Sequence, residues 1–317
     1  MNIQKKTRAM VEAALMTALT CIFAIMGTYI PVLTFILFFI PVPFIVLGKR
    51  HGIHFVILSI VASGIIVGSF TEPLQSIFVI GLPGITAIVM GYMMNKEYSP
   101  YKVLAGGSLA ALVASLLSIS IGSMIIGVDI VSQMSEAFKE AMDIQIKMYQ
   151  TIGMEPEKLE TLKKTLEATI QLVLMAIPAM LIFSSVFLSY INYVLTIRVL
   201  NRIGHKAESL PPLRYIRLPK SILMGTFLII GLTMATKYFK IVSYQSLVLN
   251  VFLIFQFVYF IQGLAVVSYF LHAFNLRKVL RVLIYILLLF NGMGTFMVAM
   301  IGFVDAIVNL RKLKTDH

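Results

Sequence analysis

Apolar runs of about twenty residues follow one another along most of this chain, and short Lys/Arg groups mark alternate gaps between them. A bilayer core about 30 Å thick takes roughly 20 residues of helix to cross. Hydrocarbon offers backbone groups no partners, so helix is the form that satisfies them within each run. The pattern predicts an all-α, polytopic transmembrane helical bundle. Spans are read at 9–28, 32–48, 53–70, 74–94, 103–126, 169–197, 220–236 and 246–272, with a last apolar region over 276–310. Asn291-Gly292-Met293-Gly294 interrupts that region. If it turns the chain, two short helices bring the count to ten, the favoured reading; if the region is one span, the count is nine.

Cytoplasmic segments of membrane proteins carry an excess of Lys and Arg. A cytoplasmic N-terminus places Lys5, Lys6 and Arg8 inside, together with Lys49 and Arg50, Lys96 and Lys102, Arg198 to Lys220, and Arg277, Lys278 and Arg281. With ten spans Arg311, Lys312 and Lys314 join them. The turns at 28–31 and 70–73 hold no Lys or Arg, as extracytoplasmic turns should. The basic start resembles a signal peptide, but its apolar run ends in Gly27-Thr28-Tyr29-Ile30-Pro31 with no small-residue cleavage site, so it reads as a retained first helix.

Two segments depart from the apolar pattern. Residues 129–168 hold eight acids against five bases. Lys139/Asp143, Asp143/Lys147 and Glu160/Lys164 stand at helical spacing. An extracytoplasmic helical hairpin is expected, broken at Gly153 and restarted at Pro156, with its second helix running on into the sixth span. Residues 198–219 form a basic cytoplasmic loop in which Pro211, Pro212 and Pro219 forbid a continuous helix. The chain thus reads as a six-helix part over 1–197, the loop at 198–219 and a helical membrane region over 220–317.

Composition agrees: apolar residues make up 59% and the mean hydropathy is +0.93. The net charge of +12 lies in short groups beside the spans, which topology explains and nucleic-acid binding does not. Cys21 is the single cysteine, so no internal disulfide forms and no Cys-rich metal site exists. No zincin, nucleophile-elbow or phosphate-loop motif occurs, so no enzymatic activity, metal or cofactor is expected. His51 and His54 sit beside Lys49 and Arg50 with no acid adjacent, and read as interfacial histidines.

Ionisable residues within apolar spans are costly and therefore informative. Glu12 stands one helical turn from Arg8, as an ion pair would. Glu72 lies at an outer turn, facing water or lining a pocket, and Asp305 precedes Arg311 by six residues, where the two can pair. In the first span Ala14 and Ala18 share a face that permits close helix approach, and either an internal neighbour, the favoured occupant, or another subunit can fill it. Asn250, Gln256, Tyr259, Gln262 and His272 form a polar line along the eighth span, able to tie helices together.

Several features resemble the S components of energy-coupling-factor vitamin transporters over about residues 5–197. They are the basic start running into Ala14-x-x-x-Ala18, Pro41-x-Pro43, the turn Gly48-Lys49-Arg50-His51-Gly52 leading to Gly64 and Gly68, and Leu82-Pro83-Gly84 running to Gly91 and Lys96. The whole chain, including Gly302-x-x-Asp305 and its basic tail, resembles the YybS-like family of polytopic membrane proteins. The S-component resemblance implies six helices and a small solute bound near the outer surface. It further implies coupling through the first helix to an ATP-driven energy-coupling membrane module. On it, Ala14 and Ala18 are coupling positions, and Tyr29, Glu72, Gln75 and Ser118 are substrate-binding candidates by location. The acidic hairpin and the helices after residue 219 lie outside that pattern. The expectation is a multi-pass cell-membrane protein that binds or takes up a small-molecule ligand. The alternative is a non-transporting scaffold or regulatory protein that uses its basic loop and acidic hairpin to bind other proteins.

Overall fold

The structure is a computed structural model that describes residues 3–239 and 243–313. Lys314, counted above with the basic tail, lies outside the described residues. Thirteen α-helices are present among them, joined by short segments of tighter or wider helical winding. Among the described residues, eight helical segments are long and apolar enough to cross a membrane.

By contact density the chain divides into two compact units, residues 1–145 with 181–210, and residues 146–180 with 211–317. In the first unit, α1 (Ile3–Tyr29) leads into a 3₁₀ segment, Pro31–Phe39, and then α2 (Pro41–His51). The span expected at 32–48 is present as Pro31–His51, with a change of winding inside it. Pro41 sets that change, because it has no N–H to give and its ring crowds the preceding turn, so the chain tightens and Ile40 N bonds Leu37 O. α2 is the centre of the unit: every residue from Pro41 to Gly48 is buried. Against it pack α1, α3 (Ile53–Phe70) and α5 (Leu82–Asn95), the last reached from a short α4 (Pro73–Ser76) through one wide turn, and α6 (Pro100–Ile126) packs on α5. Phe44, Ile45, Val56, Ile80, Met90 and Leu200 form the core. At the crossing of α2 and α5, a Cβ on Gly48 would stand 2.8 Å from the Gly91 Cα, so both positions need glycine for the backbones to meet.

Residues 129–168 hold α7 (Ile130–Thr151) and the start of α8 (Pro156–Met175), separated by a turn at Gly153, whose φ is +86°. Asp129 caps α7. Its Oδ2 accepts the Ser132 hydroxyl and amide, and these bonds hold the carboxyl below the usual carboxylate range. Of the three expected side-chain pairs, Glu160–Lys164 is made at 2.8 Å, and Lys158–Glu155 joins it at 2.9 Å. The second helix does not run on: it ends at Met175 and α9 (Ile177–Arg202) begins anew. Pro178 is the cause, since it removes a backbone donor at this point. Asn250 meets the disturbed backbone, accepting Ala179 N at 2.8 Å through Oδ1 and donating to Met175 O at 2.7 Å through Nδ2. A polar residue in an apolar span thus satisfies groups that lipid could not.

The second unit also contains α10 (Lys220–Phe239), α11 (Tyr244–Ala273), α12 (Lys278–Phe290) and α13 (Gly292–Val308). α12 and α13 meet at Asn291 with a bend of 103° and together are a broken span or a re-entrant loop. Among the described residues there are thus eight candidate spans, or nine with this pair counted as one. The ten-span count takes α12 and α13 as separate crossings, with helices of about 20 and 26 Å against a hydrocarbon core of about 30 Å.

Candidate functional site

In the first unit, side-chain contacts gather the alternate basic turns at one end. Glu12 on α1 pairs with Arg8 at 3.2 Å, with Arg50, and with His51 Nε2 at 2.6 Å. Arg50 Nε also donates to His205 Nε2 at 3.0 Å, which requires that nitrogen to be the unprotonated one. Lys49 donates to Met94 O at 2.8 Å, and Asn95 donates back to Lys49 O at 3.0 Å. At the opposite end the Tyr29 hydroxyl donates to the Phe70 carbonyl, tying the end of α1 to the end of α3. Alternate crossings follow from these contacts.

The Arg8 pair is the local one that sequence spacing predicts. The larger arrangement was not legible: His51 has a carboxylate after all, delivered from 39 residues away. The available signal was an isolated acid in the first span beside two basic turns that an alternating topology brings to the same end. Glu12 and Arg50 are both largely withdrawn from solvent, at 16% and 11% side-chain exposure. Glu12→Gln is therefore expected to cost about 1.5–3 kcal/mol through the loss of charge-assisted bonds. Cys21, buried at 6% in the same unit, reports it: thiol labelling should accelerate in the variant relative to the native chain.

Beside this cluster lies a cavity of about 320 Å³, lined among others by Lys49, Glu97, Tyr193, Lys206 and Glu208. Lys49 stands 3.8 Å from Glu97, and the Tyr193 hydroxyl donates to the Glu208 carbonyl at 2.6 Å. Two lysines and two glutamates belong to its lining, so it carries no net formal charge from these four residues. Among the described residues no three His, Cys, Asp or Glu side chains gather as a metal site requires.

The residues singled out from the sequence are only partly brought together. Tyr29 reaches the turn that carries Glu72 and Gln75, and all three are exposed. An open, mostly apolar groove of about 390 Å³ runs past Gly64, Gly68, Pro73 and Ser76 beside that turn. Ser118 belongs to α6 and returns its hydroxyl to Ala114 O at 2.9 Å. These four residues line neither the groove nor the polar cavity. The favoured occupant of the Ala14/Ala18 face is corrected: both alanines are exposed, alongside Val11, Leu15 and Ile22. The face of α1 that packs inside carries Ala9, Ala13, Thr17, Thr20 and Ala24.

In the second unit Asp305 and Arg311 pair with no solvent exposure on either side chain, at 2.9 Å. Asn309, at φ +54°, reverses the chain after α13 so that Arg311 folds back onto Asp305. Gln262 on α11 donates to Asp305 at 2.6 Å and accepts Leu218 N at 3.0 Å. Arg311 gives its remaining donors to the carbonyls of Arg214 and Ile216, at 2.8 and 2.9 Å. The pair expected from the sequence is thus the knot that fastens residues 214–218 to α11 and α13. Tyr259, also on the polar line, bonds Thr226 on α10 at 2.8 Å.

Comparison with known proteins matches most of the chain's length. Residues 18–306 match the family described as predicted membrane protein (DUF2232). The chain is 25% identical over 317 residues to the protein named uncharacterized protein YybS of Bacillus subtilis (strain 168), an alignment that covers 97% of this chain and 98% of that one. No solved structure matches.

Proposed function

We propose, for a chain that belongs to the DUF2232 family of membrane proteins, a non-enzymatic role as a multi-pass component of the cell membrane that binds a small solute and serves its uptake. The observation that carries this reading is the uncovered Ala14/Ala18 face of α1. Small residues at four-residue spacing let a second helix approach closely, and in lipid such packing is a main source of helix association. α1 spends one small-residue face on its own unit and leaves this one open. On this proposal, which follows the resemblance of residues 5–197 to transporter S components, the open face meets a membrane module driven by ATP hydrolysis elsewhere. With the N-terminus in the cytoplasm, Tyr29, Glu72 and Gln75 lie on the outer side, where a solute would arrive.

Replacing both Ala14 and Ala18 with Leu is expected to abolish copurification of an ATPase-containing membrane module while leaving the chain folded. Affinity purification from native membranes followed by mass spectrometry checks this. Absence of any such module with the native chain removes the basis of the reading.

The scaffold alternative draws less support. Residues 203–210 are held against the first unit, where Ala207 N bonds Asn201 and Glu208 O accepts Tyr193. Residues 211–218 are held in the second unit by Arg311 and Gln262. Little of this loop is left free to fold around a partner.

A further inference from the structure

In the second unit α12 packs against α13 and stands off from α11, and a cavity of about 380 Å³ lies between α11 and α12 under the segment Pro212–Arg214. Its wall changes character with depth. Along α11, His272, Ser268 and Leu264 follow one another at one-turn intervals, and along α12 Tyr285 is followed one turn later by Leu289. His272 and Ser268 therefore lie in the last turns of α11 and Tyr285 about two turns inside α12, while Leu264 and Leu289 each stand one turn, about 6 Å, beyond the nearest of these polar groups. Arg281 is not among the residues that line the cavity; it stands one turn before Tyr285 on the same strip of α12, past the end of the lined wall, and the exposed Arg277 and Lys278 precede it.

Two arginines at this end have unsatisfied chemistry. The Nε atoms of Arg214 and Arg281 are buried without a hydrogen-bond partner among the described residues. A guanidinium N–H that gives up water and finds no acceptor is costly, so an acceptor from outside the chain is called for. Arg214 lies over the Tyr215 ring at 4.9 Å, and His272 Nδ1 is engaged with Ser268 O at 2.7 Å. No acidic side chain lines the cavity.

We propose that this cleft binds a phospholipid with an anionic headgroup, its phosphate held by Arg214 and Arg281 and one acyl chain lying along Leu264 and Leu289. Guanidinium forks match phosphate geometry, and basic pockets at helix ends on the cytoplasmic side of a bilayer suit such headgroups. A free phosphate ion would use the arginines equally well, yet it has no use for the leucine-lined depth. The proposal stands independently of the uptake reading.

The test is binding of fluorescent phosphatidylglycerol to the purified full chain in neutral detergent. Phosphatidylcholine serves as the control lipid and inorganic phosphate as the competitor. Phosphatidylglycerol should bind at least tenfold tighter than phosphatidylcholine. Arg214→Gln and Arg281→Gln should each weaken it by roughly fivefold, the factor that about 1 kcal/mol represents. Leu264→Trp or Leu289→Trp should weaken phosphatidylglycerol by filling the depth, with circular dichroism and gel filtration unchanged. Equal binding of the two lipids, or arginine variants that bind as the native chain does, would overturn the proposal. Displacement by millimolar phosphate, combined with indifference to the tryptophan variants, would overturn it in favour of a soluble phosphate. If the tryptophan variants do not fold, the arginine variants and the lipid comparison still decide.

Discussion

Replacing Asp305 with Ala should destabilise the second unit by about 3–5 kcal/mol, because it strands a fully buried guanidinium without its counter-charge. The loss is larger than a surface pair would show, since neither side chain is screened by water. It also spreads: Gln262 loses its acceptor, and Arg311 loses the carboxylate that fixes the geometry in which it holds the Arg214 and Ile216 carbonyls. Arg311→Met should be comparably damaging, since it leaves the carboxylate unpaired and frees both carbonyls. Replacing both residues with apolar ones of similar volume should recover part of the loss, because two stranded charges are then absent together. Thermal unfolding of the full chain in detergent, followed by circular dichroism, measures each variant. A cost below about 1 kcal/mol for Asp305→Ala would show that the pair contributes no more than an exposed one.

The second large effect is expected at Gly302. α11 and α13 cross so closely that a Cβ added at Gly302 would fall on the Tyr259 carbonyl oxygen and crowd Gly263 N, while one added at Gly263 would fall on the Val298 carbonyl. The obstructing atoms are backbone, which cannot swing aside as a flexible side chain does. Gly302→Ala should therefore cost about 3 kcal/mol, the upper part of the range for overpacking, and Gly263→Ala a similar amount. The two should not add, because either one already forces the helices apart. Gly225→Ala on α10 is the control: nothing lies within 4 Å of its added Cβ, so helix propensity alone acts and stability should rise slightly. Equal melting of the Gly302 and Gly225 variants would mean that the crossing is not close in solution.

The two crossings explain why glycines stood out in the sequence without revealing their partners. Gly48 and Gly91 belong to different motifs 43 residues apart, and only the meeting of α2 and α5 makes them one feature. Gly302 and Asp305 share a motif because one lets α13 approach α11 and the other bonds Gln262 across the same contact. Ala14 and Ala18 teach the reverse lesson. Small residues recur around much of α1, so spacing marked a face suited to close packing but could not say which face the chain would use for itself. Glu12 was legible as the partner of Arg8 at four residues, whereas Arg50 and His51 reach it only after a turn and a second helix have formed.

The one-dimensional pattern by itself determined the helical class, the approximate bounds of most spans, the Gly153 turn with its Pro156 restart, and a break that falls at Asn291. Each of these rests on local physics: lipid demands internal hydrogen bonds, proline withholds one, and a helix must be long enough to cross. Tertiary structure alone decided which face of α1 is covered and which lysines and acids share a cavity. It alone also brought Asn250 to the backbone freed near Pro178 and closed a network of five residues around Asp305. In a chain that is apolar nearly everywhere, hydrophobic periodicity cannot distinguish a helix face turned to lipid from one turned to protein. That choice falls to close backbone approach and to the few polar groups that must find one another.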